Sequence, residues 1–192
     1  MRHSVLLAIG LSAWLLLLTK PLDAQKDRHG FWFAPGAGGG WAHLSCDSCG
    51  NRSWVGGENF AIALGGTPNP HLRVGAEWRY WVRNVTDTVP LVQTFSALVS
   101  YYSRRHGGPF VEAGLGVVYY ATSVHTIRNA GTGVGTSVTA GWEVEAGQNT
   151  LLKPQVSYLI GAVGTLRTPD GARVATGWKQ NLVLIEIRFQ PR

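Results

Sequence analysis

Nine charged side chains stand at alternate positions within otherwise uncharged stretches: Arg73, Glu77, Arg79, Glu112, Glu143, Glu145, Lys153, Glu186 and Arg188. Four are basic and five acidic, so a fold that gathers them on one face lets them nearly neutralise one another. A charge taken out of water is tolerated only when it is paired and hydrogen-bonded. The expected chemistry is therefore a structural ion-pair network, and a gate in which partners exchange to open a water path is the sharper alternative. A second constellation is His43-Leu44-Ser45-Cys46-Asp47-Ser48-Cys49. In an exported chain, Cys46 and Cys49 are expected to form a local disulfide. Zinc bound by His43, Cys46 and Cys49 would lack a fourth ligand, and no βαβ pattern surrounds the pair to suggest thioredoxin-like exchange. The third is Ser123 and His125, which share a strand face but have no evident acidic partner for nucleophilic catalysis.

What positions these residues is visible in composition and patterning. The chain has 192 residues, 25 of them Gly, with 15% charged residues and a formal charge of +6. Such a sequence is too poor in charge and too rich in aromatics for a disordered chain, and too rich in Gly for a helical domain. Residues 1–24 read as a secretory signal peptide: Arg2 and His3, an uncharged apolar run from Val5 to Leu18, and Ala24 as the last residue before cleavage. No Cys follows that run, which argues against a lipoprotein. Residues 25–192 then form the mature domain. The basic residues of the chain are dispersed without a patch, which argues against nucleic acid.

Period-two alternation marks strands. Leu72, Val74, Ala76, Trp78, Tyr80 and Val82 alternate with Arg73, Glu77 and Arg79. Val111, Ala113, Leu115 and Val117 alternate with Glu112, Gly114 and Gly116, and Val134, Val138, Ala140, Trp142 and Val144 with Ser137, Thr139, Glu143 and Glu145. Val156, Tyr158, Ile160 and Ala162 oppose Lys153, Gln155, Ser157 and Gly161. Val183, Ile185, Ile187 and Phe189 oppose Glu186 and Arg188, with Leu182 and Leu184 as exceptions. Segments 31–42, 54–65 and 89–102 supply three less regular strands. Turn chemistry falls at 67–70, 106–109 and 147–149, and 42–53, 84–88, 123–132 and 167–176 read as the opposite set of loops. Eight strands close without edges as an up-and-down barrel.

The polar face is mostly Gly, Ser, Thr and Gln with a few charges. That makes a poor water-facing surface and a good filling for a narrow bore. The expected fold class is therefore all-β, an eight-stranded antiparallel up-and-down transmembrane β-barrel with apolar residues toward lipid. The alternative is a soluble, lipocalin-like ligand-binding barrel in the periplasm, which needs an apolar cavity. Aromatics are expected in two interfacial girdles. Trp41, Trp54, Trp78, Tyr80, Tyr119 and Trp178 fall at one end, and Phe31, Phe33, Tyr101, Phe110, Trp142 and Phe189 at the other.

Over residues 30 to 190 this pattern resembles the small bacterial outer-membrane barrels of the OmpA-transmembrane-domain and OmpX type. Ile185, Ile187 and Phe189 resemble the terminal strand that such proteins present to the outer-membrane insertion machinery, although Gln190-Pro191-Arg192 follow where the family usually ends on Phe. The resemblance implies an outer-membrane protein with both termini in the periplasm and four external loops, monomeric and without cofactor. It also implies outer-membrane lipids and lipopolysaccharide as its surroundings, and a structural or surface-interaction role. Loop residues Arg52, Arg83, Arg128, Arg167 and Arg173, set against Asp47, Glu58, Asp87 and Asp170, give a slight cationic excess for lipopolysaccharide phosphates. The segment 123–131 faintly resembles the His-containing segment of outer-membrane lipid A deacylases, but Ile127 stands where that family has its Ser. A lipid A-modifying hydrolase thus remains the enzymatic alternative.

Overall fold

A computed structural model describes residues 28–47, 49, 53–83, 88–124 and 127–191. Eight strands run in chain order: β1 (Gly30–Ser45), β2 (Val55–Asn69), β3 (Leu72–Val82), β4 (Thr88–Tyr102), β5 (Gly108–Val124), β6 (Ile127–Glu145), β7 (Thr150–Arg167) and β8 (Arg173–Pro191). Each pairs antiparallel with its neighbours, and β8 returns to β1 to close the barrel. Both described chain ends, with turns 70–71, 103–107 and 146–149, lie at what we call the terminal end. At the opposite end, which we call the loop end, β1 is succeeded by β2, β3 by β4, β5 by β6 and β7 by β8.

Alternation decides which side chains line the bore. On β7, Leu151, Lys153, Gln155, Ser157 and Leu159 are buried, whereas Val156, Tyr158 and Ile160 are exposed on the outer wall. The same inversion holds around the barrel: Phe95, Leu115, Val134, Val138 and Ile187 are all more than half exposed, whereas Arg79, Glu186 and Arg188 are fully buried. Apolar outside and charged inside is the arrangement of a barrel built for lipid, not that of a soluble ligand-binding barrel.

Eight strands leave a bore narrow enough for side chains to fill, and glycine makes the room. Arg188 lies across from Gly36, where an added Cβ would come within 2.7 Å of its Cγ. Gly57 sits under the Trp81 ring in the same way, with ring carbons 2.6 Å from where a Cβ would be. Large inward residues are thus matched by absent side chains on a facing strand.

Three sequence expectations need correction. Segment 123–132, read as a loop, is mostly strand, and so is half of 167–176: β5 reaches Val124, β6 begins at Ile127, β7 runs to Arg167 and β8 begins at Arg173. Apolar contrast between the faces fades near the loop end, so the period-two signal disappears while the hydrogen-bond ladder continues. Trp178 and Phe110 do not join the girdles; both point inward and are buried. The bore itself is not polar throughout, because its loop-end half is lined by aliphatic and aromatic side chains.

Candidate functional site

The bore contains three layers. At the terminal mouth, Arg28 precedes β1 and reaches inside. Its Nε and Nη2 donate to Glu143 Oε1 at 2.9 and 2.6 Å. Nη1 donates to the carbonyl of Pro70 at 3.1 Å and to that of Arg104, and Nη2 to that of Gly107 at 3.1 Å. Its guanidinium lies 4.0 Å from the centre of the buried Tyr102 ring, a cation–π geometry. One side chain therefore ties the segment just before β1 to two turns and to β6. Beside it, Arg73 Nη1 donates to Gln190 Oε1 at 2.6 Å, to the Tyr102 hydroxyl at 3.1 Å and to Glu143 Oε2 at 3.4 Å. Lys153 donates to the Tyr102 hydroxyl at 2.8 Å and sits 4.4 Å from the centre of the Phe110 ring.

The middle layer is the densest. Arg79 grips Glu77 with two parallel bonds of 3.0 and 3.1 Å and reaches Glu186 at 3.4 Å. Arg188 donates to Glu186 at 2.7 Å, to Glu112 at 3.4 Å and to Glu77. Neutral donors serve carboxylate oxygens in the same layer. Gln155 bonds Glu186 and Ser100 bonds Glu112, both at 2.6 Å, and Asn59 also bonds Glu186. Arg188 thus meets three carboxylates from three strands, which makes it the hub.

Beyond this layer, Trp81, Val92, Val118, Tyr120, Leu159 and Leu182 head an apolar cluster. Tyr120 and Trp178 meet with ring centres 4.6 Å apart. Between the charged and apolar layers lies a cavity of about 10 Å³, bordered by Thr94, Ser96, Ser137 and Gln180; that is room for about one water. Cys46 and Cys49 are joined in a disulfide and pack against the apolar cluster, together with Val55 and Ala175. The Asp47 amide donates to the Thr176 carbonyl at 3.1 Å, fastening the disulfide turn over the head of β8. A four-residue ring constrains little chain, so its stabilisation should not exceed about 2 kcal/mol. With both sulfurs bonded to each other, the zinc reading of His43, Cys46 and Cys49 loses its thiolates.

The structure thus brings Arg73, Glu77, Arg79, Glu112, Glu143, Glu186 and Arg188 together as paired, buried charges. Two of the expected set behave differently. Glu145 ends β6 half-exposed at the terminal rim, outside the buried group. Lys153 is buried, but against aromatic rings and a hydroxyl. The guanidinium that completes the Glu143 pair is Arg28, which sequence reasoning missed. It lies outside any alternating stretch and is separated from Glu143 by 115 positions.

Ile185, Ile187 and Phe189 face outward on β8, and the strand continues past them. Gln190 is buried and bonded to Arg73, so Gln190 and Pro191 belong to the barrel wall. At the loop end, Ser123 pairs its backbone with Arg128 across β5 and β6. The 168–172 turn is closed by the Thr168 amide on the Ala172 carbonyl at 3.0 Å. The Thr168 side chain and local backbone amides hold the exposed Asp170 carboxyl below its usual range. His125, Arg52, Asp87 and the proposed signal peptide lie outside the described residues.

No family model and no curated protein sequence matches the chain. Solved structures do. Neisserial surface protein A (NspA) matches with a TM-score of 0.60 at 15% identity, over 85% of this chain and 98% of that one. Ail, the attachment invasion locus protein of Yersinia pestis, matches with a TM-score of 0.52 at 10% identity, over 85% and 99%. At such identities the likeness establishes a shared eight-stranded barrel fold.

Proposed function

We propose that this chain is a monomeric, non-enzymatic outer-membrane protein whose bore is sealed and whose work is done by its surfaces. The carrying observation is the inverted barrel: apolar side chains on the outer wall surround a bore filled with ion pairs and then with apolar side chains. A layer of buried, paired charge stacked against a buried apolar cluster suits a structural plug better than a conduit. The terminal end is assigned to the periplasm, because an exported chain with an even number of strands starts and finishes on the side from which it inserts. Ile185, Ile187 and Phe189 serve as the outward-facing signal on the last strand for the insertion machinery.

The loop end then faces outward, with the disulfide turn as a fixed part of its relief. Arg83, Arg167, Arg173 and Lys179 outnumber Asp47, Glu58 and Asp170 there, which favours the phosphates of lipopolysaccharide as the contacting groups. The test is gel mobility of the full chain from washed outer membranes, with and without boiling in detergent. The expected result is recovery in the outer-membrane fraction with a faster-running unboiled form. Recovery in the soluble periplasmic extract with no mobility shift would overturn the membrane reading.

A further inference from the structure

The 103–107 turn between β4 and β5 carries the densest positive charge at the terminal end. Arg104 and Arg105 are both exposed there, and His106 follows them. The strand that leads into the turn has Tyr101 exposed on the outer wall, with the His71 ring stacked on it at 6.4 Å between centres. Exposed aromatics of this kind settle at the headgroup level of a bilayer. A strand rises about 3.3 Å per residue, so the backbone of Arg104 and Arg105 lies within reach of that level, and the long side chains can extend to the phosphates.

The turn's backbone is fixed from inside. Arg28 takes the carbonyls of Arg104 and Gly107 into the bore, and the Ser103 amide donates to the Pro109 carbonyl at 3.3 Å. With the carbonyls committed inward, the two exposed guanidinium groups are presented on a preformed turn. The buried acid closest to this layer, Glu143, is bonded to Arg28 and Arg73.

We propose that Arg104 and Arg105 form a binding site for the phosphate of an anionic phospholipid in the leaflet at the terminal end, with Arg28 as its positioning residue. Guanidinium groups suit this ligand, because their planar fork matches two phosphate oxygens at once. The inference rests on the barrel being embedded in a membrane with its terminal end toward the periplasm.

The experiment places the mature protein in phosphatidylcholine bilayers containing a trace of spin-labelled phosphatidylglycerol or spin-labelled phosphatidylcholine. Electron paramagnetic resonance then reads how much of each probe is held at the protein. The expected preference for phosphatidylglycerol is about five-fold or more at low salt, shrinking as salt screens the charges. Arg104→Gln with Arg105→Gln should bring the two lipids to parity, and Arg28→Gln should weaken the preference without touching either arginine. Thr132→Ala, an exposed and uncharged position near the opposite end, should leave it unchanged.

Mobility on unboiled gels checks that each variant is a closed barrel, and the two substituted arginines are exposed, so folding should survive. Equal association of both lipids with the folded native chain would overturn the proposal. So would a preference that persists in the double variant. Absence of the mobility shift in the native chain would instead refute the barrel reading beneath it.

Discussion

Arg188→Ala should lower the stability of the barrel by about 3–5 kcal/mol, and nearly all of that loss should come from what remains. The guanidinium of Arg188 meets Glu77, Glu112 and Glu186 inside a layer closed to water. Removing it leaves three buried carboxylates to share Arg79 and a few neutral donors. Each must then stay charged without a full partner or take up a proton, and both outcomes disfavour the folded state. Urea unfolding followed by loss of the fast-running gel form measures the effect. The companion variant removes the charges together, as Arg188→Met with Glu77→Gln and Glu112→Gln. It should recover much of the loss, because the single substitution is damaging through its orphaned partners more than through a missing attraction. Equal damage in both variants would mean that the shape of Arg188 matters more than its charge.

Gly38→Val should prevent the barrel from closing. Gly38 faces the bore on β1 opposite Glu186 on β8, at the seam where the first and last strands meet. An added Cβ would lie 2.6 Å from the Glu186 Cα and 2.9 Å from its Cβ. The nearest obstacle is backbone, which cannot swing aside as the end of a flexible side chain can. Overpacking in a core typically costs about 1–3 kcal/mol, and here the strain falls on the ladder that completes the fold. The expected result is no heat-sensitive fast band and rapid degradation by protease. Gly66→Ala serves as the control, since an added Cβ there meets nothing within 4 Å. A normal mobility shift in Gly38→Val would show that the seam can widen to admit a branched side chain.

Much of this architecture was legible in alternation alone. Parity assigned Arg73, Glu77, Arg79, Glu112, Glu143, Glu186 and Arg188 to one face, and that face is the bore. It was less reliable where both faces carry similar residues. Leu182 and Leu184 looked like exceptions on β8, yet with Trp81, Leu159 and Tyr120 they form the apolar loop-end half of the bore. Trp178 shares the parity of Gln180 and Leu182, and Phe110 that of Glu112. A strict parity reading would therefore have placed both inside, whereas residue type alone suggested the girdles. Arg28 had no such signal. It stands before the first strand, and its partners come from two turns and a distant strand, so only the closed barrel brings them together. The lengths of β5 to β8 were underestimated for a related reason. Hydrogen bonding can carry a hairpin beyond the point where an apolar contrast marks it.

The layered bore leads to one decisive recording. Mature protein, verified as a closed barrel by its unboiled mobility, would be incorporated into a planar lipid bilayer and held under voltage in salt solution. A plug of paired charges beneath an apolar layer predicts a silent bilayer, with no stepwise current while the barrel stays folded. Stable, reproducible conductance steps from the native chain would contradict the sealed bore and restore the exchange of ion-pair partners as an opening gate.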